Sequence, residues 1–511
     1  MKKFFTIIFN RILYISLFMI VQFGALFLVL RFLHEQFLYF YTACVILSIL
    51  TGLHVINKDM NPAYKIAWLI PIMLLPIFGG LAYLMYGKTR MSKREHKRMS
   101  KIEHSYKEAM ALYDSSADRL AQENRDAAMH SQYISTVTGV PPYRYTQTQY
   151  LPIGEEYFKV MKEELKKAEH FIFLEYFIVE EGVMWNEILN ILKEKVDEGL
   201  DVRVMYDDLG CIFTLPRRYD KKLESLGIKT CVFHRFNSVL NSRFNTRDHR
   251  KICVIDGNIG ITGGINLADE YINAKVKYGH WKDSGVLLKG KAVWSLTVMF
   301  LTVWDYYRNE HDTYLNFAPQ ENFIAKMPSD GYVQPFSDTP LDNEPVGATV
   351  YKNLINRARE YVYITTPYLI VDYEMLRVMR TAARSGVDIR IIVPGIPDKK
   401  LVYAVTKSYY ELLLKDGVRI YQYTPGFMHA KNCVVDDEYA VVGTINLDFR
   451  SMYLHFECAA WMCRSKAVGQ AKEDFMETLE LCTEITMASL KKKNLFHIIG
   501  LSVIRAFAPL M

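Results

Sequence analysis

Near the N-terminus the hydrophobic pattern has no period: Ile12 to Leu30, Phe37 to Ile56 and Ile66 to Gly87 carry no formal charge. At about 1.5 Å of rise per residue, each can cross a hydrocarbon core of roughly 30 Å. Pro71, Pro76 and Gly79-Gly80 interrupt the third run, which bundled membrane helices tolerate. The first run exceeds the ~7–15 residues of a signal-peptide core and no small-residue cleavage site follows, so it reads as a span. The expectation is an α-helical transmembrane module over residues 1–90, with three spans favoured over two plus a re-entrant segment. Lys88, Arg90, Lys93, Arg94, Lys97, Arg98 and Lys101 follow at once. Such a run stops at the cytoplasmic leaflet, which places the remainder in the cytosol of a multi-pass protein of the cell membrane. Three spans would leave Lys2, Lys3 and Arg11 outside, against the same rule, so the two-span arrangement stays open.

Residues 91–150 are polar and helix-prone, close with Pro141-Pro142, and read as a juxtamembrane linker. Beyond them the pattern repeats. Ala168 to Asp208 and Ala358 to Gly395 each run from a helix end into an apolar, β-branched and aromatic strand. A helix of period 3.6, a turn at Gly199 or Gly386, and a second buried strand complete each unit. Alternating β and α elements predict an α/β class with a mostly parallel sheet covered by helices. The two copies divide the chain into domains at 151–335 and 336–511.

Composition adds two limits. Half of the 511 residues are hydrophobic and 23% are charged, which excludes a disordered chain. The net charge of +6 is too weak by itself to argue for nucleic acid. Eight cysteines show no C-x-x-C pair and no metal-ligand spacing, so reduced thiols and no bound metal are expected.

A third similarity carries chemistry. Asp248-His249-Arg250-Lys251, ending at Asp256, matches Met428-His429-Ala430-Lys431, ending at Asp436; both contain H-x-K-x4-D. Each is followed by Gly-x-x-Asn, at Gly263 to Asn266 and at Gly443 to Asn446. Side chains alternate along a strand, so His249 and Lys251 share a face, as do His429 and Lys431. An ammonium neutralises a phosphate oxygen, and an imidazole acts as nucleophile or proton donor near neutrality. Two such units facing each other suit in-line displacement at one phosphorus, with the histidines exchanging roles between half-reactions. Asn266 and Asn446 are candidate donors to the same oxygens. Asp256 and Asp436 complete the motif set, yet their odd spacing from the histidines turns them to the opposite face, where they pin strand to turn. A carboxylate that orients the histidines must come from elsewhere. Asp283, after Trp281-Lys282, and Glu457, after His455-Phe456, are the candidates. Glu175 has no acidic counterpart at Thr365 and is either a buried ion-pair partner or a substrate contact.

At these residues the chain resembles the phospholipase D superfamily and, within it, the bacterial cardiolipin synthases. The likeness runs from about Asn61-Pro62-Ala63 through the stretches NTRDHRKICVIDG, GGINLADEY and GTINLDFRS, ending at Ser451. It implies two phospholipase D-like domains related by a pseudo-twofold, with one shared site. It also implies transfer of a phosphatidyl group from one phosphatidylglycerol to another through a phosphohistidine, with no cofactor or required metal. Among relatives of this kind an Asn commonly stands where this chain has His455. Phosphatidylglycerol and anionic membrane lipids are the implied partners, and nucleic acid is not. Hydrolases and other phosphatidyltransferases share the motif, so the acceptor alcohol stays open. A dead membrane scaffold is disfavoured because both His-Lys pairs are intact. The C-terminal Lys491-Lys492-Lys493 and the apolar run after it read either as an interfacial helix or as a helix docked on the second domain.

Overall fold

Asn61 and Pro62 open a helix as their chemistry favours. The Asn61 side chain accepts the Ala63 N–H at 2.9 Å, and Pro62, with no N–H to satisfy, takes the first helical position. Helix Pro62–Leu74 packs on helix Phe37–Asn57, and the contact buries Val55 and Ile72 beside Trp68 and Leu69. Among the described residues, Leu38–Asn57 is the one helix long and apolar enough to cross a membrane. The computed structural model describes residues 37–75, 79–80, 83, 87, 106–111, 116–235, 246–342, 344–490 and 495–510. The expected first span, Ile12 to Leu30, and the basic run after Gly87 lie outside them. The chain divides into two units, residues 1–88 and 89–511.

In the second unit the repeat becomes two α/β domains. The first contains β1 (Thr146–Leu151), β2 (Phe171–Tyr176), β3 (Asp201–Asp207), β4 (Lys229–Phe233), β5 (Ile252–Ile255), β6 (Ile259–Gly263), a short β7 (His280–Lys282) and β8 (Gly285–Gly290). Its sheet runs β1-β8-β6-β5-β2-β3-β4. The second contains β9 (Tyr332–Asp338), β10 (Tyr361–Thr365), β11 (Asp388–Pro394), β12 (Arg419–Tyr423), β13 (Gly426–Met428), β14 (Asn432–Val435), β15 (Tyr439–Gly443), β16 (Glu457–Cys463) and β17 (Cys482–Ile485). Its sheet runs β9-β16-β15-β14-β10-β11-β12-β17, the same order with one strand added.

Neither sheet is mostly parallel. In the first, only β2 with β3 and β3 with β4 are parallel, and every other pairing is antiparallel. The cause is local: a tight turn at Asp256-Gly257-Asn258 joins β5 to β6, and so short a link can only make a hairpin. The βαβ half of each repeat obeys the expected rule, and the motif-bearing half does not. Nor is the described stretch from residue 116 to 150 a loose connector. Helix Arg125–Thr138 packs on the second domain, with Gln334 Nε2 donating to the Val140 carbonyl at 2.7 Å, and β1 belongs to the first sheet.

The two domains share a core. Phe173 and Val254 of the first sheet fall in one buried cluster with Val434, Ala460 and Met462 of the second. Each sheet is covered at equivalent places by an aromatic stack: Phe173 on Phe300 at 4.6 Å, and Tyr363 on Phe475 at 4.7 Å. Helix Val293–Arg308 is apolar on nearly all sides because it is enclosed, with Trp294 and Trp304 fully buried. Truncating either tryptophan to alanine removes roughly 3–5 kcal/mol. At the other end of the chain, helix Leu495–Ala506 docks on helix Lys400–Leu414, where Arg505 lies 4.6 Å from the Tyr409 ring centroid. Ile499 and Val503 on the docked helix stay exposed.

The motif aspartates hold the sheets together. Asp256 adopts a φ of 53°, a left-handed turn conformation that Asp tolerates. Its carboxylate accepts the N–H groups of Glu169, His170 and Phe171, each at 2.8 Å, where β2 begins. Asp436, at φ 52°, does the same for Arg359, Glu360 and Tyr361 ahead of β10. Both carboxylates face backbone, which removes Asp256 and Asp436 from the groups that could touch a substrate. Asp256→Ala is expected to cost about 1–3 kcal/mol, because it strands three donors at a partly buried strand end, that of Phe171 being buried. Asp436→Ala, at a more exposed end, costs less. Thermal unfolding of the purified variants measures both.

Candidate active site

The site is made where each domain lends a strand to the other. β13 of the second domain pairs in parallel with β7 of the first, Met428 opposite Lys282. Asp248 makes a parallel bridge to Phe456 in the other direction. Both pairings end in the same way: the His429 N–H donates to the Lys282 carbonyl at 2.7 Å, and the His249 N–H donates to the Phe456 carbonyl at 2.9 Å. The next residue in each accepting strand is an acid. Asp283 Oδ2 stands 2.5 Å from His429 Nδ1, and both Glu457 oxygens stand 2.9 Å from His249 Nδ1. Each histidine therefore meets the carboxylate of the opposite domain. With Glu457 ionised, His249 carries its proton on Nδ1 and keeps the Nε2 lone pair, whereas His429 Nδ1 is shared between Asp283 and Lys431 Nζ, the latter at 2.7 Å.

Sequence reasoning found both acids but not the exchange, because alternation within one strand says nothing about which strand lies beside it. It also missed how the acids are held. Thr444 donates its hydroxyl to Glu457 Oε2 and receives the Cys458 N–H at 3.0 Å. The matching position in the first domain is Gly264, where a Cβ would overlap Asp283 Oδ1. The Ser284 N–H, at 2.8 Å, holds Asp283 there. The visible signal is the second residue of each Gly-x-x-Asn turn, Gly in one copy and Thr in the other.

Lys251 and Lys431 are buried beside their histidines, each Nζ donating to the main-chain carbonyl of the histidine two residues before it. Aromatic rings wall the site. Phe177 lies 5.3 Å from His249, and Trp281, Tyr271 and Phe427 lie 5.2, 5.4 and 5.5 Å from His429. Asn266 is largely committed within the protein, accepting the Ile178 N–H at 3.0 Å and donating to Tyr271 Oη at 2.7 Å. Asn446 is buried, and its Oδ1 has no partner among the described residues. Glu175 stands against Arg250, Oε1 2.5 Å from Nη2 but without hydrogen-bond geometry, and burial pushes its carboxyl above the usual range, while Arg250 Nε reaches Asp248 at 3.0 Å.

Burial dominates the electrostatics. It lowers the His249 pKa well below the ordinary histidine value, and Lys251 and His455 push in the same direction. His429 falls to about 4 through burial and Lys431, against the pull of Asp283. Burial also brings Lys251 to about 8 and Lys431 to about 7, and raises Glu457 above the carboxylate range against Lys251. Both imidazoles are neutral in the free site at pH 7. The donor atoms of His249, His455 and Glu457 lie within 4.8 Å of one another, a spacing a divalent cation could use. Lys251, Arg247 and Arg450, all close enough to act on His455, oppose a dication there.

Comparison with known proteins agrees with this architecture. The family described as "Cardiolipin synthase, PLD-like domain" matches residues 161–286 and 351–479, and "Phospholipase_D-nuclease N-terminal" matches residues 46–88. A "Cardiolipin synthase" of Alkalihalophilus pseudofirmus is 32% identical over 98% of this chain and 100% of its own length. A "Cardiolipin synthase 2" of Bacillus cereus is 32% identical over 91% of this chain and 90% of its own. An uncharacterized protein of Streptococcus mutans is 45% identical over 90% of this chain and 99% of its own. The crystal structure of a phosphatidylserine synthase from Haemophilus influenzae shares the fold, with a TM-score of 0.56 and 15% identity, covering 75% of this chain and 98% of that one. With two matched α/β domains, two H-x-K-x4-D motifs and full-length relatives of that name, the chain belongs to the cardiolipin synthase family of the phospholipase D superfamily.

Proposed function

We propose that the chain transfers a phosphatidyl group from one phosphatidylglycerol to another, giving cardiolipin and glycerol. The observation that carries this reading is the crossed pair of His–carboxylate contacts, which gives two chemically similar imidazoles different electrostatic surroundings in one buried site. His249 is the nucleophile. Its Nε2 lone pair attacks phosphorus, an N–P bond forms, and the P–O bond to the glycerol headgroup breaks. His429 is the acid. Asp283 favours its protonated form, the anionic phosphodiester raises its proton affinity further, and it delivers that proton to the leaving alkoxide. In the second half the acceptor hydroxyl returns a proton to His429 while its oxygen displaces Nε2 from phosphorus. Lys251 and Lys431 balance charge on the non-bridging oxygens. The reaction takes place on the cytoplasmic face of a multi-pass protein, with residues 1–90 as membrane module and the two catalytic domains beginning at β1 and β9 rather than at 151 and 336.

Purified protein given phosphatidylglycerol alone should yield cardiolipin and glycerol in equal amounts, read by thin-layer chromatography and mass spectrometry. Phosphatidic acid as the sole lipid product would make it a hydrolase. His249→Ala and His429→Ala should each lower turnover by about four orders of magnitude. Near-native activity in either would exclude one shared site.

Gly264→Ala tests the orienting acid without touching a titratable group. The added methyl displaces Asp283 from His429, and a loss of about 10²-fold in kcat is expected. An unchanged kcat would show that Asp283 does not orient the ring.

The free-site pKa of Lys431, about 7, sets the sign of a pH effect. As pH rises through that value the lysine loses its charge and phosphate binding weakens, so kcat/KM should fall on the alkaline side. A profile flat from about pH 7 to 9 would contradict it.

A further inference from the structure

His455 is a largely enclosed ring, its side chain 12% exposed, that the protein itself does not use. Both its nitrogens are buried without a hydrogen-bond partner among the described residues, and Glu457 Oε1, at 3.8 Å from Nδ1, is beyond hydrogen-bond reach. Buried polar atoms are normally paired, so an orphaned imidazole beside a reaction centre points to a ligand. The ring lies 5.7 Å from that of His249. Its backbone is fixed in a corner that gathers arginines. The His455 N–H donates to the Arg450 carbonyl at 3.0 Å, the Phe456 N–H to the Arg247 carbonyl at 2.8 Å, and the His249 N–H to the Phe456 carbonyl at 2.9 Å. Arg450, Lys251, Arg247 and Lys399 all lie close enough to disfavour a charge on His455, which leaves a neutral ring able to donate one N–H. The nearby acids are engaged. Asp207 accepts the Leu209, Gly210 and Asp248 N–H groups and stands 3.6 Å from an Arg247 nitrogen, and Asp448 accepts the N–H groups of Arg450 and Ser451, so the arginines bring charge to a corner whose acids are already committed within the protein. The balance of charge in this corner suits an anion and opposes a metal ion.

Resting on the phosphatidyl-transfer reading, we infer that His455, Arg247 and Arg450 form a second phosphodiester subsite beside His249. It holds the phosphate of the acceptor lipid while the donor's phosphoryl group is on the histidine. The two phosphates of the product then occupy the two subsites, and the acceptor hydroxyl is presented to phosphorus in place of water.

The test uses the full chain in mixed micelles of phosphatidylglycerol, with cardiolipin, phosphatidic acid and glycerol measured together. His455→Phe keeps the ring volume and removes both nitrogens; Arg450→Gln removes a charge from the same corner. Each should lower the ratio of cardiolipin to phosphatidic acid about tenfold. Glycerol release should fall less than cardiolipin, with phosphatidic acid making up the difference. If cardiolipin and glycerol fall in parallel, or the ratio does not change in a variant with the wild-type unfolding temperature, the subsite is refuted. Two further outcomes would also overturn it. One is competitive inhibition by millimolar inorganic phosphate that His455→Phe abolishes, which marks a free-anion site. The other is stoichiometric Zn²⁺ bound by the parent and not by His455→Phe, which marks a metal site. A wild-type protein that makes no cardiolipin would instead sink the transfer reading itself.

Discussion

Two backbone hydrogen bonds organise this molecule: His429 N–H to the Lys282 carbonyl, and His249 N–H to the Phe456 carbonyl. Each joins a motif strand of one domain to the strand of the other that is about to deliver an acid. Because the donor is the histidine's own main chain and the acceptor directly precedes the carboxylate, the pairing fixes imidazole and acid together. The shared apolar core keeps the domains in that register, and the aspartate staples at Asp256 and Asp436 hold each hairpin to its sheet. Disturbing any of these shifts the distance between a ring nitrogen and a carboxylate on another domain.

The same enclosure explains the electrostatics. Removing water lowers both imidazole pKa values and brings the lysines towards neutrality, so the free site stores little net charge. An anion entering such a site would make it favourable for the lysines and one histidine to be protonated. The near-symmetry is broken by small differences around each ring. Thr444 holds Glu457 where Gly264 merely leaves room for Asp283, and a further histidine, His455, stands beside His249.

Much of this was legible from residues alone, and the limits have physical causes. Duplicated spacing was enough to match His249 and Lys251 with His429 and Lys431, but all four lie just ahead of β5 and β14 rather than on strands, and Asp256 and Asp436 face away because they occupy the left-handed turns that follow those strands. Aromatic-to-acid patterns picked out Asp283 and Glu457. What periodicity could not show was direction: the hairpin from β5 to β6 makes much of each sheet antiparallel, although the βαβ pattern before it is correctly read as parallel. Nor could one strand's alternation reveal a partner 208 residues away, as between His249 and Glu457. Glu175 faces Arg250, whose side chain sits in the middle of the motif itself, a contact that its own strand's pattern does not signal.

The crossed acids also bear on the chain while it is being made. A nascent polypeptide that has emerged only as far as the end of the first domain carries His249 and Lys251, but its carboxylate, Glu457, has not been translated. The other acid, Asp283, is present with no histidine to serve. The half-made chain thus holds neither His–carboxylate pair, and both are completed only when strands of the second domain are in place.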